Sequence, residues 1–222
     1  GKSIAAKQLG ATALQSIKHG YTSTALFLDL KKEWYCWLCS ILGEQARDRI
    51  RYLQPMDVVD GARWLPFEDF GDSIESMEAL GRMLAPSNPD AHNPFFDQAT
   101  ANILAGVCVG VGLTHGRSAT LLDITSKLQD AGTIHDALLL APEQNRSRLN
   151  TYFGAKPNRD VLSTTANRLA ELRAAAEMME RATQTFSVNG YLASEYALVV
   201  GHSHAYAEAT AAGIRRDVPA LT

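Results

Sequence analysis

Between Phe67 and Gln184 the sequence carries helical periodicity and little strand character, while short apolar runs on either side of that span read as strands. Ala25-Leu26-Phe27-Leu28-Asp29 is an apolar run that ends in an acid, the pattern of a buried strand. Arg49-Ile50-Arg51-Tyr52-Leu53 alternates and stops before Pro55, which predicts a second short strand. Strand character returns at Tyr196-Ala197-Leu198-Val199-Val200-Gly201. A chain with strands only at its two ends has to bring those ends together around whatever lies between them. The expectation is an α/β protein, with the order of elements that a large helical insertion in a nucleotide-binding sheet would have.

Helices follow from apolar spacing and from their stops. Residues 3–18 alternate small, apolar and basic residues ahead of Gly20, and Lys31–Leu42 ends at Gly43. Inside the insert the pattern predicts helices over Asp72–Leu84, Pro94–Leu113, Ala119–Asp130, Ile134–Leu140, Glu143–Phe153 and Val161–Ala182. Pro86, Pro89, Gly116, Gly132 and Pro142 punctuate them. Another helix, Ala205–Ile214, follows the returning strand.

Charge narrows the function classes. The 222-residue chain has a formal net charge of −3, so bulk attraction to nucleic acid is not indicated. Residues 67–97 hold Arg82 against Glu68, Asp69, Asp72, Glu75, Glu78, Asp90 and Asp97, an acidic stretch suited to solvent or protein rather than to a phosphate backbone. The uncharged run between Asp97 and His115 contains Gly106, Gly110 and Gly112 and reads as a buried helix rather than a membrane span. Cys36 and Cys39 form a C-x-x-C, but Trp34, Trp37, Leu38 and Ile41 surround it at helical spacing and no second ligand pair accompanies it. Reduced, metal-free thiols are therefore expected there and at Cys108.

Three places could carry chemistry. The chain opens Gly1-Lys2-Ser3, the last three residues of a P-loop or a short unrelated start. A helix, a turn and a buried strand ending in Asp29 follow, as a P-loop requires. In that setting Lys2 would reach nucleotide phosphates and Ser3 would hold Mg²⁺. Asp29-Leu30-Lys31-Lys32-Glu33 sits at a strand's carboxyl end, where α/β sheets bind ligands; Asp29 or Glu33 there serves a nucleotide or Mg²⁺, or else caps the strand end. Gly201-His202-Ser203-His204 follows another strand and reads as a polar loop. No apolar strand ending in an acid follows residue 200, since Asp217 precedes Val218-Pro219. The acidic strand that organises Mg²⁺ and water in P-loop ATPases is thus not seen, and no residue stands out as catalytic.

The order of these pieces resembles a family. GKS and its helix, then ALFLDLKKEWY, RIRYLQPMD, NPFFDQATANILAGV and FSVNGYLASEYALVVGHSH, are similar to the TraD/TraG-like coupling ATPases of conjugation and type IV secretion. In that family GKS closes the phosphate-binding motif and the next strand ends in a D-P-K-G-E-like motif. Here Leu30 and Lys32 stand where Pro and Gly are frequent, whereas Gln54-Pro55-Met56-Asp57 keeps closer to its counterpart. The resemblance implies a RecA-like nucleotide-binding domain over 1–66 and 186–222, with an all-alpha domain over 67–185. It assigns Gly1, Lys2, Ser3 and Asp29 to an ATP site, with Mg²⁺ on Ser3. For a full-length protein it implies ATP-driven delivery of relaxase or effector protein substrates and single-stranded DNA to secretion-channel components. A homo-hexamer at the cytoplasmic face of the bacterial inner membrane is implied as well. The rival readings are a non-catalytic cargo-binding helical module and another RecA-like DNA motor, FtsK-like or a packaging ATPase.

Overall fold

A computed structural model describes residues 26–29, 32–43, 46–54, 57, 59–85, 94–193 and 197–201. The expected helix over 3–18, the Gly1-Lys2-Ser3 opening, the His202-Ser203-His204 loop and the helix over 205–214 lie outside the described residues. The chain divides into two compact units. One is built from residues up to Arg63 and from Ala182 onward, and the other is Trp64–Arg181.

In the first unit, strands β1 (Leu26–Asp29), β2 (Ile50–Leu53) and β5 (Ala197–Gly201) form a parallel sheet in the order β1-β5-β2. The register pairs Asp29 with Gly201 and Leu53 with Val200, so all three carboxyl ends fall on one edge. Strands that run parallel in one sheet need a crossover, and helix α1 (Glu33–Leu42) supplies it between β1 and β2, which lie on either side of β5. A short helix, α2 (Ala46–Arg49), leads directly into β2. Leu38 and Leu42 of α1 bury against Ile50 and Tyr52 of β2, with Phe27 and Trp37 packed around them. The helix stops at Gly43, whose φ of 58° is a left-handed turn that only glycine adopts cheaply and whose N–H donates to the Cys39 carbonyl. Strands β3 (Ala62–Trp64) and β4 (Gln184–Phe186) pair as a separate ribbon, and α11 (Val188–Leu192) follows, with the Ser187 hydroxyl accepting from the Gly190 N–H.

The second unit is wound around one helix. Its helices are α3 (Pro66–Phe70), α4 (Ile74–Leu84), α5 (Pro94–His115), α6 (Leu121–Thr125), α7 (Ala131–Leu139), α8 (Arg146–Phe153), α9 (Arg159–Arg168) and α10 (Ala170–Met179). Helix α5 is long and apolar enough, by length and composition, to cross a membrane. Here it is the core: Ile103, Leu104, Ala105, Val107, Cys108, Val109 and Val111 are all fully buried. Its neighbours reach its backbone at glycines. An added Cβ on Gly81 of α4 would lie 2.4 Å from the Ala105 Cα, and one on Gly110 of α5 would lie 2.3 Å from the Ala137 carbonyl oxygen of α7.

A buried polar brace locks this packing. Arg148 of α8 donates to the Asn102 carbonyl (2.8 Å), to Asn145 Oδ1 (3.1 Å) and to Glu78 Oε1 (2.7 Å). Asn145, fully buried, donates in turn to the carbonyls of Gly106 and Leu138. Four helices, α4, α5, α7 and α8, and the loop of Asn145 are joined by two side chains whose hydrogen-bonding groups find partners, as burial demands.

Boundaries moved where caps or burial overrode periodicity. The expected helix over 119–130 ends at Thr125. It begins at a reciprocal cap between Thr120 and Asp123, and the next helix begins at a similar cap between Asp130 and Thr133. The expected helix over 161–182 breaks at Leu169 (φ −95°, ψ 4°), which turns to bury its side chain in the core. Strands β3 and β4 were not anticipated, since three residues each carry too little periodic signal.

Replacing Gly81 by Ala should force α4 and α5 apart. The expected cost is about 1–3 kcal/mol for overpacking, read as a lower thermal unfolding midpoint by circular dichroism. An unchanged midpoint would show that the helices do not approach this closely.

Candidate functional site

The edge formed by the carboxyl ends of β1, β5 and β2 is where open α/β sheets place ligands. Asp29 ends β1, is 2% exposed, and accepts the Tyr35 backbone N–H at 2.8 Å. Tyr35 lies in the first turn of α1, where N–H groups have no intrahelical acceptor. The residue in the capping position, Lys32, has no side-chain oxygen to offer, so Asp29 caps the helix from three residues upstream.

Lys32 itself is held in a left-handed conformation (φ 60°, ψ 14°), and it is the one non-glycine residue with positive φ among the described residues. That geometry costs an L-residue about 1–2 kcal/mol. The turn sends the side chain toward the loop after β2, where its ammonium bonds the carboxylates of Asp57 and Asp60 (2.6 Å to the latter). That loop is tightly built. Asp57 Oδ1 accepts the N–H groups of Val59 and Asp60, and its carbonyl accepts the Gly61 N–H at 2.8 Å. A side chain at Gly61 would strike the Asp57 carbonyl oxygen at 2.2 Å.

Two phenols complete the site. Tyr35 and Tyr52 stack with centroids 4.7 Å apart, and the Lys32 ammonium lies 5.5 and 5.6 Å from the two ring centres. Gly201, at the end of β5, leaves room for the Tyr52 ring, since a Cβ there would lie 2.4 Å from the phenol oxygen.

Electrostatics fix the charge states. Burial alone would lower the Lys32 pKa, but hydrogen bonds and charge from Asp57 and Asp60 outweigh it and hold the ammonium above its ordinary value. Burial would raise Asp57, but the bond to Lys32 and the backbone N–H groups outweigh that and keep its carboxyl below the usual range. Burial, with Cys39 and Asp60, raises Tyr35, and burial, with Asp29 and Asp57, raises Tyr52, so both phenols stay protonated as donors. Burial likewise raises the thiols of Cys39 and Cys108. Among the described residues no group of His, Cys, Asp and Glu has metal-binding geometry. Lys32 is thus already paired with Asp57 and Asp60, with protonated phenols beside it.

Of the residues expected from sequence, Gly1, Lys2 and Ser3 lie outside the described residues and Asp29 caps α1 at the sheet edge. Glu33 opens α1 exposed to solvent. The sequence reading missed Lys32, Asp60, Tyr35 and Tyr52. The one signal available for Lys32 was its place where the resembled motif has glycine, a hint of left-handed backbone.

Lys32→Ala should lower stability by leaving Asp57 and Asp60 without their cation, whereas Lys32→Gly loses the same ammonium but is free of the left-handed strain. The Gly variant should therefore be more stable than the Ala variant by about 1 kcal/mol, measured by urea denaturation at neutral pH. Asp57 has a depressed folded pKa, so its contribution is present above its unfolded value of about 3.9 and is lost as pH falls through the folded value. The gap between wild type and Lys32→Ala should close over that acidic window. Equal stability of the two variants would show that the left-handed turn costs nothing.

No protein-family model matches the chain, and no curated protein matches it. Among solved structures it is similar to that of a bacterial conjugative coupling protein, TrwBdeltaN70, in an unbound monoclinic form. The TM-score is 0.58 at 12% sequence identity, with 93% of this chain covered and 47% of the other. The chain therefore spans about half the length of that structure, and at this identity the likeness is one of fold.

Proposed function

We propose that this chain is part of a coupling ATPase of the TraD/TraG type, acting in conjugation or type IV secretion. The observation that carries the reading is the likeness to a conjugative coupling protein over 93% of the chain. It agrees with the order of motifs in the sequence, which is independent of it. In this reading residues 1–66 and 186–222 belong to a RecA-like nucleotide-binding domain, and 67–185 form an all-alpha domain that engages cargo. Gly1, Lys2 and Ser3 close the phosphate-binding loop, Lys2 neutralises phosphate charge, and Ser3 contributes to holding Mg²⁺. ATP with Mg²⁺ supplies the phosphoryl-transfer chemistry in the whole protein.

This chain's own contribution at the sheet edge is positioning. Asp29 fixes the start of α1, and with it the first-turn backbone on which Lys32 and Tyr35 stand. Lys32 holds the loop after β2 through Asp57 and Asp60. In the full-length protein the proposed role is movement of relaxase or effector proteins and single-stranded DNA into a secretion channel. The proposed assembly is a homo-hexamer at the cytoplasmic face of the inner membrane.

The test is hydrolysis by the whole protein. Lys2→Ala should abolish ATP turnover, because both charge neutralisation and phosphate positioning are lost. The 222-residue chain alone should bind ATP weakly or not at all by calorimetry, since most N–H groups of a phosphate-binding loop precede its lysine. Unchanged turnover in the Lys2→Ala protein would remove GKS from the phosphate site, and absence of turnover in the unaltered whole protein would overturn the ATPase reading.

A further inference from the structure

Helix α1 carries two thiols on one side. Cys36 is exposed and Cys39, three residues on, is half-buried; both are free. The third cysteine, Cys108, is enclosed in α5, where burial raises its thiol and leaves it inert. A C-x-x-C in the helix of a parallel β-α-β unit is a setting for dithiol chemistry, and α1 joins the parallel strands β1 and β2.

The helix decides how such a pair can react. Residues three apart in an α-helix have Cα atoms about 5 Å apart, inside the span that a disulfide bridges. Their Cβ atoms lie about 5–6 Å apart, whereas a disulfide holds them at about 4 Å. Closing that gap requires the turn to tighten toward a 3₁₀ form, in which residues i and i+3 eclipse. A bond made in this way is strained and readily reduced, which suits a reversible pair and not a structural staple.

Tightening this turn is felt at the sheet edge. The Cys36 N–H donates to the carbonyl of Lys32 (3.1 Å), the residue held in left-handed backbone. The Tyr35 phenol, on the same turn, lies in hydrogen-bonding reach of both the Cys39 sulfur and the Asp60 carboxylate. Lys32 bonds that same carboxylate. One thiol is thus tied to the Lys32 backbone and the other to its ion pair.

We propose that Cys36 and Cys39 are a modification site, closing to a reversible disulfide in the presence of a low-molecular-weight disulfide, and that closure loosens the Lys32 turn. Cys36, the exposed member, attacks as thiolate one sulfur of the small disulfide, and one small thiol leaves. The Cys39 thiolate then attacks the Cys36 sulfur of the mixed disulfide, and the second small thiol leaves. Two electrons pass from the cysteine pair to the oxidant, and the two cysteine protons end on the two released thiols. The site stands apart from the ATPase reading, since it uses none of Gly1, Lys2 and Ser3.

The 222-residue chain is equilibrated with oxidised and reduced glutathione at varied ratio, quenched in acid, alkylated and mapped by mass spectrometry. The expected product lacks two hydrogens, with Cys36 joined to Cys39 and with Cys108 alkylated only after unfolding. Excess reduced glutathione should return the dithiol. Cys39→Ser should stop the reaction at a glutathione adduct on Cys36. Lys32→Gly, freed of the left-handed strain, should raise the ratio of disulfide to dithiol at least about threefold by linkage. Tyr35→Phe, which removes the phenol shared by Cys39 and Asp60, should shift that ratio in the same sense. A chain that stays reduced in oxidised glutathione, or that stops at a lasting adduct on Cys36 with Cys39 present, would overturn the assignment. An unchanged ratio in both variants would overturn the link to the Lys32 turn, and a rise in either supports it.

Discussion

A helix that is apolar on every side has to be enclosed, and that requirement shapes the larger unit of this protein. Helix α5 offers no polar face to water along its middle turns, so α4, α7, α8 and α9 are drawn around it. Enclosure at backbone distance is possible only where side chains vanish, which gives Gly81 and Gly110 their places. Close packing would still allow the helices to slide. Arg148 and Asn145 remove that freedom, because their hydrogen bonds are satisfied in one register alone. The acids of the 67–97 stretch divide accordingly: Glu78 is drawn into this brace, while Asp72 is spent on an exposed pair with Arg117.

The sheet edge of the other unit follows a different logic, in which one side chain compensates for another. Lys32 cannot cap the helix it precedes, so Asp29 does. Freed from capping, Lys32 crosses to the next loop and ties Asp57 to Asp60. Asp29 thereby acts as a positioning residue for the cluster, and its near-complete burial reflects that task.

Much of this organisation was legible in the sequence, and the parts that were not have definite physical reasons. Strands around Leu26–Asp29, Ile50–Leu53 and Ala197–Gly201 announced themselves as short apolar or alternating runs, and the buried character of α5 followed from the uncharged stretch before His115. The break at Leu169 was hidden because a buried residue at a bend keeps the same apolar spacing as one inside a continuous helix. Asp60 and the tyrosine pair escaped notice because their meeting with Lys32 is a matter of three-dimensional closure, not of spacing along the chain.

The strand order has a consequence for how such a chain comes into being. The central strand of the sheet, β5, comes last among the strands of the described residues, and β1 and β2 are joined in the sheet through it. Leu26 therefore waits for Leu198, across the entire helical unit. During synthesis the helices of Trp64–Arg181, a compact unit of their own, can assemble as they emerge, whereas β1 and β2 stay open-edged until β5 follows. The pairing of β1 and β2 with β5 is of the slow, long-range kind, and in the interval their unpaired edges are open to mispairing.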